Sequence, residues 1–151
     1  IAEYESKKGV TTNFQLLATD YSHEDIRQAE SATYSSHQLS RLNDSYRKLY
    51  IAAGETAGSG VVKDKIRRNI RFSQCSLAED FESLGMMDLI ICSDVLVYFS
   101  SGLKSRILER LASQLKPGGI LLTGHNQAVT PFSDSFERVD HPAGVFYRHK
   151  S

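Results

Sequence analysis

Two cysteines, Cys75 and Cys92, are all the chain has, and neither belongs to a Cys/His set with zinc spacing. That scarcity excludes a disulfide scaffold, makes a reducing cytoplasm the expected compartment, and gives no reason to expect a metal. Net charge is also lacking. Eighteen lysines and arginines balance eighteen aspartates and glutamates, so no global field would hold the protein on nucleic acid or an anionic membrane. The densest basic run, "KDKIRR" at 63 to 68, is interrupted by Asp64 and has no interleaved aromatics, so it reads as a solvated face. No apolar stretch approaches the length of a membrane span and no signal peptide precedes the body, so membrane insertion is not expected. The chain begins at Ile1 rather than a methionine, which reads as a piece of something longer.

What is present fits one soluble domain. At 151 residues and 40% hydrophobic, the chain can bury roughly two-thirds of its unfolded surface. "NFQLLATD", 13 to 20, is a short apolar run ending in an acid, and Ser22 before "HEDIRQAESATY" predicts an N-cap with Asp25 three residues on. "SSHQLSRLNDSYRKLY", 35 to 50, spaces Leu39, Leu42, Tyr46, Leu49 and Tyr50 as a second helix would. "IAAGETAGSGVV", 51 to 62, reads as a loop or hairpin tip. Its three glycines do not make a phosphate cradle, because a helix precedes them where the fingerprint needs a strand.

Further on, "NIRFSQCSL" (69 to 77) alternates like a strand, and "MDLIICSD" (87 to 94) is a continuous apolar run of the kind found where both faces of a parallel sheet are covered. "SGLKSRILERLASQL" places Leu103, Ile107, Leu108, Leu111 and Leu115 on one helical face. "KPGG" at 116 to 119 breaks that helix, and "ILLTGH" is the next strand. "SFERV" and "GVFYRH", joined by "DHPA", form an antiparallel hairpin. Strand and helix in alternation, closed by a hairpin, predict an α/β three-layer sandwich, mostly parallel, with an antiparallel C-terminal edge.

In open parallel sheets, ligands sit outside the carboxyl ends of the strands. Three strands end informatively there: at Asp20, at Cys75-Ser76-Leu77, and at Ser93-Asp94. They are expected to converge on one cleft. Asp20 reads either as a turn residue before Ser22 or as an acid whose two oxygens accept both hydroxyls of a ribose. Tyr98 reads as an aromatic packed at a strand-to-helix corner, and His125 as a structural histidine or one at the cleft mouth. No Ser/His/Asp order or nucleophile elbow supports hydrolase chemistry.

"FQLLATDYSHEDIRQAESATY", "DLIICSDVLVYF", "ILERLASQLKPGGILLTGH" and the final hairpin together resemble the catalytic domain of the CheR-type chemotaxis receptor methyltransferases, in order from about residue 13 to the C-terminus. The resemblance implies a Rossmann-like S-adenosylmethionine methyltransferase fold and transfer of a methyl group to glutamate side chains of chemoreceptors. It assigns Asp20 to the ribose, Ser76 and Leu77 to the adenine pocket, Asp94 and Val95 to the flank of the cofactor, and Tyr98 to the transferred methyl as the catalytic residue. Residues 51 to 66 would correspond to a small β-rich insertion that docks a receptor tail peptide in some members.

Two departures from the family pattern shape the expectations. Ser93 and Asp94 stand where the family commonly has arginine and asparagine. The family's first strand and glycine-rich loop are expected upstream of residue 1, and "IAEYESKKGVTT" resembles the tail of the helix after that loop. The expected unit is therefore a partial catalytic domain over 1 to 151, incomplete at its N-terminus and inactive alone. A sheet lacking a central strand exposes two unpaired edges, which predicts a homodimer formed by exchange of elements between chains. The rival expectation is a methyltransferase-fold binding or signalling module without turnover.

Overall fold

The computed structural model of the protein describes residues 1–124 and 127–150. The chain divides into two units, Ile1–Cys75 and Ser76–Ser151.

The first unit opens with α1 (Ala2–Lys8), which ends at Gly9 in the left-handed region, φ 62°. Thr12 folds back on this helix, donating from its backbone N–H (2.7 Å) and its hydroxyl (2.6 Å) to the Glu5 carboxylate, and those bonds hold that carboxyl below the usual carboxylate range. β1 (Leu16–Asp20) follows. Ser22 then caps α2 (His23–Ser31) by accepting from the Asp25 N–H, as the sequence predicts. α2 packs its buried Ile26 face against β1 and the later, parallel β5 (Ile70–Gln74). The two strands pair from Leu16 opposite Ile70 to Asp20 opposite Gln74.

Between α2 and β5 lies a small antiparallel sheet. Its strands are β2 (Thr33–Ser35), β3 (Ile51–Ala53) and β4 (Ser59–Val62), in the order β2-β4-β3. The sequence predicts one helix over 35 to 50, whereas the structure has two short ones, α3 (Ser36–Leu39) and α4 (Asp44–Tyr50). The cause is capping competition. Ser35 and Gln38 form a reciprocal capping box, and the Asn43 side chain accepts from the Tyr46 N–H at 2.9 Å, so a second helix starts inside the apolar period. The stretch 51 to 62 is the expected hairpin. Gly60 is required within it, since a Cβ there would sit 2.6 Å from Ile51 Cγ2 and 2.7 Å from Leu39 Cδ1. A short α5 (Asp64–Arg67) leads back to β5.

In the second unit, β6 (Met87–Cys92) and β7 (Leu115–Thr123) are parallel and joined by α6 (Ser101–Ser113). The hairpin β8 (Phe136–His141) and β9 (Gly144–His149) adds β9 antiparallel to β7, giving the order β6-β7-β9-β8. The antiparallel C-terminal edge is thus as the sequence predicts. So is the buried face of α6: Ile107, Leu108 and Leu111 lie in the core with Leu121, Val129, Phe136 and Tyr147. Leu115 is buried too, but as the first residue of β7. "KPGG" is drawn into that strand, with a register shift between Met87 and Leu89.

Side chains tie the connections down. The Glu109 carboxylate accepts from the hydroxyls of Ser133 (2.6 Å) and Ser135 (2.8 Å), and Arg110 donates to the Glu79 carbonyl (2.7 Å). The apolar run of β6 departs from the two-faced burial expected of it. Cys92 is buried, but Leu89 and Ile91 on the alternate face are 49% and 68% exposed. Burial pushes the Cys92 thiol up to about 11, so it stays protonated at neutral pH and acts as a small hydrophobe.

Candidate cofactor site

The candidate residues named from the sequence fall in both units. In the first, Asp20 is half-buried at the carboxyl end of β1. Its backbone carbonyl accepts from the Cys75 N–H at 2.8 Å, which joins the ends of β1 and β5. Its Oδ1 accepts from the Ser22 N–H at 2.9 Å. One carboxylate oxygen therefore makes the turn and the other, Oδ2, has no partner among the described residues. The two readings of Asp20 are compatible, because the turn uses only half of the group. Tyr21 follows, 76% exposed, with its carbonyl held by the Gln74 side-chain amide at 2.9 Å. The sequence reading passed over Tyr21. Its signal was an aromatic directly after a strand-end acid.

In the second unit, Ser76 and Leu77 are half-buried in the loop before the 3-10 turn Glu82–Leu84. The Ser76 hydroxyl accepts from the Ala78 N–H at 3.3 Å, and its carbonyl accepts from the Glu79 N–H at 3.1 Å, which curls the loop tightly.

At the carboxyl end of β6, Asp94 has φ 58°, a left-handed conformation rare for a side-chain-bearing residue. Asp and Asn enter that region more readily than other such residues, and strain of this kind concentrates at functional sites. Two contacts fix its carboxylate. The Ser93 hydroxyl donates to Oδ2 at 2.8 Å, and the side chain lies against Gly124 so closely that a Cβ there would fall 2.2 Å from Oδ1. Val95 begins the 3-10 turn Leu96–Tyr98, and its carbonyl accepts from the Tyr98 N–H at 3.2 Å. This turn buries Leu96 and leaves Tyr98 83% exposed, so Tyr98 is not the packed corner aromatic of the simpler reading. His125 lies outside the described residues. The structure thus brings Ser93, Asp94, Val95 and Tyr98 together at one strand end, and Asp20 with Tyr21 at another. Gly124 was the further residue missed, because its role is a tertiary contact.

A parallel β6-α6-β7 unit closed by an antiparallel hairpin is a Rossmann-like arrangement. The structure of the N-methyltransferase NodS from Bradyrhizobium japonicum WM9 has this fold, matching with a TM-score of 0.54 at 14% identity over 91% of this chain and 74% of that one. The family model for the CheR methyltransferase, SAM binding domain, matches residues 1–145, and the chain belongs to that family. The family's cofactor is S-adenosylmethionine. Similar curated proteins include the chemotaxis protein methyltransferase of Vibrio anguillarum, 35% identical over 95% of this chain and 52% of that protein. Another is chemotaxis protein methyltransferase 1 of Pseudomonas aeruginosa, 34% identical over 90% of this chain and 50% of that protein. The chain spans about half the length of the curated relatives it matches. Among the described residues no helix is long and apolar enough to cross a membrane, and no group of three or more metal-ligating side chains assembles.

The residues present fit the cofactor's chemistry. An uncommitted carboxylate oxygen suits a ribose hydroxyl, an exposed aromatic face suits a purine, and a second carboxylate suits an α-ammonium group.

Proposed function

We propose that the full-length protein transfers a methyl group from S-adenosylmethionine to a glutamate side chain of a chemoreceptor, and that residues 1–151 hold the nucleoside and face the reacting methyl. The observation that carries this reading is the half-committed carboxylate of Asp20. In it, Asp20 Oδ2 accepts from the ribose, Ser76 and Leu77 line the adenine, Asp94 and Val95 flank the amino acid portion, and Tyr98 stands by the methyl.

S-adenosylmethionine supplies an electrophilic methyl on a sulfonium. A glutamate carboxylate with a pKa near ~4.3 is already ionised at neutral pH, so no general base is needed. Ionised, that carboxylate would take the methyl directly, with S-adenosylhomocysteine as the leaving group. What the protein contributes is in-line positioning, an entropic effect.

The test is calorimetric titration of S-adenosylhomocysteine into the full-length protein. Asp20→Ala should weaken binding about 5- to 150-fold, the 1 to 3 kcal/mol of hydrogen bonds to a charged acceptor. Unchanged affinity would remove Asp20 from the site.

A second reading, a binding module without turnover, is favoured by one observation. Ser93 spends its hydroxyl on Asp94 at 2.8 Å and offers no cation to an incoming carboxylate where the family commonly has arginine. Methylation of receptor fragments at an ordinary rate by the full-length protein would rule it out.

We also propose that copies of this chain associate through β6. Its edge away from β7 pairs with no strand among the described residues, and Leu89 and Ile91 stand exposed beside it. Light scattering of the 151-residue chain should give about twice 16.9 kDa. A monomer at every concentration would refute the association.

A further inference from the structure

Arg110 stands half-buried in the last turn of α6, a helix fixed to the core of the second unit by Ile107, Leu108 and Leu111. Its guanidinium is committed to backbone. Nη1 donates to the Glu79 carbonyl at 2.7 Å and to the Ala78 carbonyl at a longer 3.5 Å, groups 31 and 32 residues earlier in the chain. Glu79, Asp80 and Glu82 carry carboxylates in the same segment, yet no ion pair among the described residues includes Arg110. A cation drawn in by charge alone would take a carboxylate. One that takes successive carbonyls fixes the course of the main chain.

The segment held in this way carries Ser76 and Leu77. It is curled from within, because the Ala78 N–H donates to the Ser76 hydroxyl at 3.3 Å and the Glu79 N–H to the Ser76 carbonyl at 3.1 Å. With Arg110 on their carbonyls, Ala78 and Glu79 are tied at both backbone groups. Leu77 differs, since neither its N–H nor its carbonyl has a hydrogen-bond partner among the described residues. One donor and one acceptor are thus left free on a short arc that is anchored to a rigid helix by charge-assisted bonds, roughly twice as strong as neutral ones.

A free N–H beside a free carbonyl can tell purines apart. Adenine offers ring N1 as an acceptor and its amino group as a donor, whereas hypoxanthine reverses both, with N1–H as donor and O6 as acceptor. A loop held in one shape meets hypoxanthine donor to donor and acceptor to acceptor. A loose loop can shift to suit either base, so the discrimination depends on what holds the loop.

We propose that Arg110 is a positioning residue for the base of the cofactor: through the Ala78 and Glu79 carbonyls it holds Ser76 and Leu77 in the shape that accepts adenine and rejects hypoxanthine. The inference rests on the nucleoside-binding reading above and deepens it by naming the residue that confers base specificity.

The test is calorimetric titration of the full-length protein with S-adenosylhomocysteine and with S-inosylhomocysteine, alongside amide hydrogen exchange. The unsubstituted protein should prefer the adenine form at least about tenfold, the factor for one mismatched hydrogen bond. Arg110→Met should bring that preference below about threefold, chiefly by weakening the adenine form. The same variant should speed exchange of the Glu79 amide while the α6 amides from Ile107 to Leu111 stay protected. Arg110→Ala should behave alike, which separates loss of the donor from loss of the packed stem. Arg110→Lys, which keeps a cationic donor, should keep most of the preference. Equal weakening of both ligands in Arg110→Met would show a structural role only, loss in Arg110→Ala alone would assign the effect to the stem, and unchanged Glu79 exchange would show that the loop is ordered without this bond. Each of these overturns the proposal. If the unsubstituted protein does not bind S-adenosylhomocysteine, the nucleoside reading and this assignment fall together. If it binds with a preference indifferent to Arg110, that reading stands and the positioning role alone is overturned.

Discussion

Phe136→Ala should destabilise the second unit by about 3 to 5 kcal/mol, which in thermal unfolding corresponds to a midpoint at least about 6 °C lower. Phe136 is 1% exposed and opens β8, where it pairs in register with His149 of β9, ring centres 6.3 Å apart. Truncation leaves a void lined by a sheet that cannot collapse freely, because β9 is held between β8 and β7. Phe136→Leu keeps most of the volume and should cost only about 1 to 1.5 kcal/mol. Near-equal losses for the two substitutions would mean that the ring's shape, rather than buried volume, sets the stability of the hairpin.

The second large effect is expected at Gly124. A Cβ there would lie 2.2 Å from Asp94 Oδ1, 2.7 Å from its Cγ and 2.8 Å from its backbone nitrogen. A side-chain tip can swing away, but a backbone nitrogen cannot move without disturbing the end of β6. Gly124→Ala should therefore cost about 1 to 3 kcal/mol of stability and displace Asp94, weakening S-adenosylhomocysteine binding by the full-length protein as well. Gly102 serves as the control. It lies in the first turn of α6 with nothing within 4 Å of its would-be Cβ, so Gly102→Ala should be neutral or stabilise by up to about 1 kcal/mol. If Gly124→Ala leaves both stability and affinity unchanged, the contact with Asp94 does not position the carboxylate.

Local signals carried most of the fold. The Ser22 cap, the α6 stripe and the alternation of the last two strands are patterns within a few residues, set by backbone groups that must be satisfied and faces that must be buried. The single helix expected over 35 to 50 failed because two cap side chains competed with one apolar period, and the caps won. β2 was not legible because Thr33–Ser35 has too few residues to show a period and exists through its pairing with β4. At the candidate site, Asp20, Asp94 and Tyr98 were visible as polar or aromatic residues at strand ends. The contact of Asp94 with Gly124 joins residues some 30 positions apart, and no local pattern encodes such a contact.

The positive φ of Asp94 also bears on how this corner can change over generations. Of the side-chain-bearing residues, aspartate and asparagine enter that backbone region at least cost, and one G-to-A transition in the codon converts the first to the second. The backbone thus holds shape constant while a single-base change adds or removes a whole charge at the end of β6. Charge at the end of β6 can drift in a lineage without the loop having to be rebuilt.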